Sequence, residues 1–328
     1  MLKLARRLAQ VGVLGLNRRN AEYTLLHNPR HLYPLADDKL RTKELARAAG
    51  IAVPELYAVV EIEHQIRELP AVLDRYTDFV IKPAQGSGGD GILVIAGRTR
   101  KMYRKANGAL IGPEELEHHV SNVLSGMYSL GGHPDKALVE YRVRFDPVFE
   151  AIAYQGVPDV RIIVFLGVPV MAMVRLPTRQ SDGKANLHPG AIGAGVDIAT
   201  GITLTAVWNN GIVHEHPDTG NPVDGVRIPH WKNLLRLAAR SYELTGLGYQ
   251  GVDIVLDGEK GPMILEVNAR PGLNIQIANR AGLLPRLQMA ERYCRELQGV
   301  DARVDFAMAY FAASRRNAGV GPIQAASA

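Results

Sequence analysis

Hydrophobic and polar positions along this chain follow two periods, one helical and one extended, in short alternating segments. Residues 37–50 carry helical spacing. Leu40, Leu45, Ala46 and Ala49 share a side, Asp37 or Asp38 serves as N-cap, and Gly50 is the stop. Further helices are expected over Glu61–Leu69, over Trp231–Gly246 with Leu234, Leu235, Leu237 and Ala238 inward, and over Pro285–Gln298. The opening MLKLARRLAQVGVLGL reads as an amphipathic helix with Leu2, Ala5, Leu8 and Ala9 on one side, and no small-residue cleavage site follows it. Strand-length apolar runs occur at 51–60, 79–82, 92–96, 137–143 and 159–166. Gly167-Val168-Pro169 turns the last of these back, so Val160–Leu176 forms an antiparallel hairpin. This alternation predicts a mixed sheet covered by helices. Residues 17–34 are turn-rich and without assignable chemistry, and Arg98–Pro134 is basic, then mostly polar-helical. Gln180–Val196 is too rich in glycine for regular structure and reads as a loop over a site.

The most informative stretch is GVDIVLDGEKGPMILEVNARPG, Gly251–Gly272. Two aliphatic runs flank the polar turn Asp257–Pro262 and form a hairpin. Glu266 and Asn268 project from one face, and pairing through the turn is expected to place Asp253 beside them. Two carboxylates and an amide oxygen make a hard-oxygen site suited to Mg²⁺ shared with phosphates. The competing reading is a solvated polar strand face, which the apolar neighbours disfavour.

FVIKPAQGSGGDG, Phe79–Gly91, is the second such stretch. Gly86–Gly91 satisfies G-x-G-x-x-G, but a β-branched run follows where a dinucleotide site needs a helix. The glycines therefore belong to a strand-loop-strand flap whose backbone N–H groups can approach phosphate oxygens, with Lys82 beside it. Without GK[ST], a P-loop NTPase is excluded. Arg161 and Arg175 lie within apolar strands and require anionic partners, either internal carboxylates or an anionic substrate. Lys184, Asn186 and His188 are candidate ligand contacts in the glycine-rich loop. His214 and His216 beside Pro217-Asp218-Thr219-Gly220 read as an exposed turn, since nothing nearby completes a zinc set.

Composition adds bounds. The 328 residues accommodate two or three subdomains, and 47% hydrophobic with 22% charged is ordinary globular composition. One cysteine, Cys294, excludes an intramolecular disulfide framework and points to the cytoplasm. No apolar run approaches the roughly 18 residues of a membrane span. The net charge of +5 is concentrated in residues 1–50, with ten Lys and Arg against four acids. That favours acidic ligands such as nucleotides or carboxylates, and the aromatic platforms and basic helix faces of nucleic-acid binders are missing from the sequence.

DDKLRTKELARAAGIAVP, FVIKPAQGSGGDG, the VEY hinge, D-V-R-I, and G-V-D-I followed by L-E-V-N-A-R-P-G together resemble the ATP-grasp superfamily, nearest the RimK-type α-L-glutamate ligases. The likeness covers about Asp37–Leu284. It implies an α+β ATP-grasp fold with ATP between two lobes, 37–136 carrying the flap and 137–311 the metal site. Residues 1–36 form a short N-terminal segment, and the Ala/Gly/Ser tail 312–328 is expected to be disordered.

By the same resemblance Lys39 and Lys82 contact the phosphates, and Gly86, Ser87, Gly88 and Gly89 close over them. Glu140, Tyr141, Arg142 and Val143 supply adenine contacts, and Asp159 binds the ribose. Asp253, Glu266 and Asn268 hold two Mg²⁺ (Mn²⁺ as substitute), and Arg175 steadies the transferred phosphoryl group. Lys184, Asn186 and His188 contact nucleotide and acceptor, while Arg270 holds a substrate carboxylate. Such ligases carry a sizeable domain before the lobes, so a homodimer or partner subunit is expected to complete this cleft. The reaction implied is ADP-forming ligation of a small-molecule or peptide carboxylate to an amine, glutamate being one option. A phosphotransferase and a non-catalytic ATP-binding scaffold are the rivals.

Overall fold

The computed structural model describes residues 2–86 and 88–313, so Ser87 and the segment 314–328 of the expected disordered tail lie outside the described residues. Two antiparallel sheets organise the chain. The first contains β1 (Leu56–Val60), β2 (Phe79–Pro83), β3 (Leu93–Thr99), β4 (Met102–Lys105), β5 (Leu110–Ile111) and β6 (Ala137–Glu140), ordered β1-β6-β2-β3-β4-β5. The second contains β7 (Asp159–Phe165), β8 (Val168–Leu176), β9 (Ile192–Val196), β10 (Thr203–Trp208), β11 (Gly211–Val213), β12 (Tyr249–Asp257) and β13 (Gly261–Asn268), ordered β11-β10-β9-β8-β7-β12-β13. All the strand pairings described are antiparallel, so the expected mixed sheet resolves into two antiparallel ones. β6 pairs with β1 and β2, which moves the boundary between the sheets from 137 to beyond Glu140.

Each sheet has its own core. Phe79, Ile81, Ile95 and Val139 pack beneath the Pro113–Leu124 helix, whose inner face is Leu116, Val120, Val123 and Leu124. The larger core centres on β7, β8 and β12, whose central residues are buried on both faces and therefore read as continuous apolar runs. The Trp231–Thr245 helix covers it with Leu234, Leu235 and Ala238, and ends on Gly246 at φ +69°.

Local signals account for the element ends. Asp38 caps the Lys39–Ala48 helix by accepting from the backbone N–H groups of Leu40 and Arg41, and Gly50 follows at φ +63°. Between 61 and 73 the chain forms a 3₁₀ segment, Glu63–Glu68, before an α-turn at Leu69–Leu73, because Pro70 sits at the first helical turn rather than ending one. The predicted helix at 285–298 runs Leu284–Tyr293. Arg98–Pro134 contains β4 and β5 as well as the expected helix.

Two sequence expectations are overturned. Ile192–Val196 is a fully buried strand and not loop. Its glycines permit close approach, since a Cβ on Gly195 would lie 2.6 Å from the Ala278 carbonyl oxygen and one on Gly193 2.9 Å from the Leu187 side chain. His216 is fully buried and not part of an exposed turn, with Nε2 2.9 Å from the Pro177 oxygen and Nδ1 accepting from the Asp218 N–H at 3.2 Å.

Candidate active site

One face of the second sheet carries six of the predicted residues, Asp159, Arg161, Arg175, Asp253, Glu266 and Asn268, across four adjacent strands. Asp159 on β7 stands opposite Arg175 on β8, Arg161 on β7 opposite Asp253 on β12, and Asp253 opposite Glu266 on β13. The last pairing depends on a bulge. Near the turn the register is Asp257↔Gly261 through Ile254↔Ile264, which continued straight would set Asp253 against Leu265. The register instead shifts by one residue there, and Leu265 is the extra residue. The slip turns Glu266 and Asn268 onto the Asp253 face.

The side chains on this face form a network. Arg161 binds Asp253 through two hydrogen bonds, Nε to Oδ1 at 2.7 Å and a terminal nitrogen to Oδ2 at 2.6 Å. Arg175 binds Asp159 in the same bidentate manner, at 2.6 and 2.5 Å, and its terminal nitrogen also reaches Asp253 Oδ2 at 2.6 Å. Burial pushes the Asp253 carboxyl upward, but the two guanidinium groups outweigh it and hold it below the usual range. Asp159 has one arginine, is desolvated, and faces the Asp253 charge; its pKa is raised to about 6. Asn268 Nδ2 donates to Glu266 Oε1 at 3.1 Å and to Asp253 Oδ2 at 3.3 Å. Glu266 and Asn268, like Arg161, are partly exposed, so the network opens toward solvent at β13.

Lys39 links this face to the glycine flap. Its ammonium donates to the Gly86 carbonyl at 2.5 Å and lies 4.0 Å from Glu266 Oε2. Burial lowers its pKa. The flap is left-handed at Gly88, Gly89 and Gly91, a conformation that side chains resist. Across it, Asn186 Nδ2 donates to the Gly88 carbonyl at 3.4 Å, and Lys184 pairs with Asp90 at 3.2 Å. Its base is tied by Asp135, whose Oδ2 accepts from the Gln85 N–H and the Ser129 hydroxyl.

Lys82 and Glu140 are both buried and meet each other at 2.5 Å. The Glu140 side chain is therefore engaged by lysine, whereas adenine contacts were expected of it. Tyr141 and Arg142 are likewise committed elsewhere. The Tyr141 hydroxyl donates to Asp257 at 3.1 Å, its N–H to the Glu55 carbonyl, and Arg142 pairs with Asp78 at 3.3 Å. Val143 packs with Tyr141, Val255 and Met263. Asp159, expected at a ribose, is held by Arg175. Arg270 is exposed and stacks on the Tyr33 ring at 4.7 Å. His188 is exposed and borders a cavity of about 160 Å³ with Asn209, Asn210, Asn274 and the apolar Leu187 and Ile277.

The structure also brings in residues that the sequence reading passed over. Lys43, one helical turn after Lys39, points inward to Glu140 at 2.7 Å. The i, i+4 spacing of the two lysines beside Leu40 and Ala46 was the available signal. Asp257, read as a turn residue, accepts from the N–H groups of Arg144, Glu259 and Lys260 and so anchors the segment after β6.

The profile of the sugar-transfer associated ATP-grasp family matches residues 18–292. A probable α-L-glutamate ligase of Maridesulfovibrio salexigens is 26% identical over 238 residues, covering 72% of this chain and 56% of the relative. One from Klebsiella pneumoniae is 23% identical over 271 residues, covering 80% and 68%. The chain thus spans little more than half the length of the first of these relatives. Among solved structures, D-cycloserine synthetase DcsG superposes at a TM-score of 0.44 with 17% identity, over 82% of this chain and 73% of that one. With two antiparallel sheets, a glycine flap between them and a profile match across most of its length, the chain belongs to the sugar-transfer associated ATP-grasp family.

Proposed function

We propose that this protein is an ATP- and Mg²⁺-dependent carboxylate–amine ligase that forms an amide and releases ADP and phosphate. The observation that carries the reading is Lys39, whose ammonium contacts the flap carbonyl of Gly86 and faces Glu266 across the gap between the sheets. A cation between a glycine flap and a carboxylate-rich strand face is suited to a triphosphate with divalent metal. Membership of the family and the glutamate-ligase relatives support the reaction class.

The residues present fit Mg²⁺. Glu266 Oε2 pairs loosely with Lys39, at 4.0 Å, and Asn268 becomes an oxygen donor when its amide turns over. Asp253 is the tightest member, its two oxygens already holding Arg161 and Arg175. When bound, Mg²⁺ would neutralise phosphate charge in the developing transition state. Lys39 from the Lys39–Ala48 helix and Lys82 from β2 would bind the phosphates, with the N–H groups of Gly88 and Gly89 above them. Arg175, fixed by two carboxylates, would present its charge to the transferring phosphoryl group without having to reorganise. A substrate carboxylate oxygen takes the γ-phosphoryl group, giving an acylphosphate and ADP. The amine nitrogen then forms the C–N bond as the C–O bond to phosphate breaks, and the nitrogen loses a proton. The cavity beside His188 is suited to the amine substrate, and Arg270, four residues before the cavity's Asn274, would hold its carboxylate partner.

The test is a mass-spectrometric screen of amino-acid, peptide and amino-sugar pools incubated with ATP and Mg²⁺. The expected product has the summed mass of two substrates less water, with ADP release that requires both. A stable phosphorylated product without amine would make the protein a phosphotransferase, and nucleotide binding without turnover would make it a scaffold.

A further inference from the structure

Glu140 ends β6 with its side chain sealed between two lysines. Oε1 lies 2.5 Å from Lys82 Nζ and Oε2 2.7 Å from Lys43 Nζ, all three side chains being at most 4% exposed. Lys43 donates its well-formed hydrogen bond to the Pro54 carbonyl at 2.6 Å, and Glu140 Oε2 has no hydrogen-bond partner of good geometry. Lys43 therefore grips Glu140 by charge, and is itself anchored by the Pro54 carbonyl, a partner that Lys82 does not share.

We propose that Lys43 is a positioning residue for nucleotide binding: it holds Glu140 as a fixed counter-ion so that Lys82 is free to turn to the phosphates. This rests on the reading of the cleft as an ATP site. A buried carboxylate stripped of its last cation is strongly disfavoured. If Lys82 were the sole partner of Glu140, each phosphate contact made by Lys82 would strand that carboxylate. With Lys43 in place, Glu140 keeps one ammonium at contact distance throughout. Two lysines and one glutamate leave one positive charge in surplus, and Lys82 carries it because Lys43 is pinned by Pro54. The Lys82 charge is also felt by Lys39, where it adds to the lowering that burial produces, so the surplus lies beside the lysine that reaches the flap.

Calorimetric titration of the full chain with Mg²⁺ and a non-hydrolysable ATP analogue tests this. Lys43→Met should weaken binding about tenfold, the scale of one charge-assisted contact, and Lys43→Arg should recover most of it. Adding Glu140→Gln to Lys43→Met should restore binding, because no carboxylate then retains Lys82. Glu140→Gln alone should bind at least as tightly as the unsubstituted chain, which keeps the test available if Lys43→Met does not fold. The inference is overturned if folded Lys43→Met binds within about twofold of the parent, if the double variant stays as weak as the single, or if Glu140→Gln binds more weakly. Failure of the unsubstituted chain to bind the analogue would instead remove the ATP-site reading, and this inference with it.

Discussion

Arg175 and Asp253, on strands separated by β7, meet at 2.6 Å while Arg175 remains bidentate on Asp159. One guanidinium thus crosses a strand to join two of the three carboxylates of the site, Asp159 and Asp253. Breaking a buried pair by removing one partner costs about 3–5 kcal/mol. Arg175→Met should lower stability by that order, as read by urea denaturation. Asp159→Asn should cost less, since burial and the neighbouring Asp253 charge already disfavour its ionised form.

Glu266 is partly exposed, and it contacts the Asn268 amide at 3.1 Å and Lys39 at 4.0 Å. Glu266→Gln should leave the melting temperature within a few degrees of the parent, yet reduce ADP release by orders of magnitude, about 10²-fold or more. A coupled ADP assay run beside thermal melts checks both. Near-normal turnover would remove Glu266 from the proposed metal site.

Burial lowers the Lys43 pKa to about 8, against the pull of Glu140 in the other direction and with Lys82 and Arg47 adding to the lowering. Above that pH the Lys43 amine is neutral and Glu140 draws on Lys82 alone, so nucleotide binding should weaken as pH rises through about 8. Lys43→Arg should flatten this limb, because arginine stays charged. The stability contribution has the opposite sign. Between about 8 and the ordinary 10.5, the folded chain binds fewer protons than the unfolded one, so this group's contribution to stability rises with pH. A binding loss over that range is therefore not unfolding at Lys43, and parallel melts separate the two.

Gly195→Ala should destabilise by about 1–3 kcal/mol, the usual cost of overpacking. Its Cβ would meet the Ala278 carbonyl oxygen and the Asn279 Cα, both backbone atoms with nowhere to move. Chemical denaturation measures it, and an unchanged midpoint would contradict the packing of the Ile275–Ala278 turn on β9.

The Asp38 cap, the Gly50 and Gly246 stops, the two hairpins and the glycine flap were legible along the chain, because caps, periods and turns are local chemistry. What lay beyond reach was how strands meet. The expected placement of Asp253 beside Glu266 is the one found, but the register observed next to the turn would by itself set Asp253 against Leu265; the Leu265 bulge, a feature of the folded sheet, brings Glu266 to it. Ile192–Val196 looked like loop because glycine weakens a strand in isolation, while in the fold its missing side chains admit the Ala278 backbone. Arg161 and Arg175 announced a need for anions but not which ones, since Asp253 is distant in sequence from both. The sequence by itself determined the caps, the turns and most of the helices and strands, and named candidate residues for phosphate and metal. Only tertiary structure decided which charges touch, because an ion pair depends on distance and burial, and neither is a property of sequence separation.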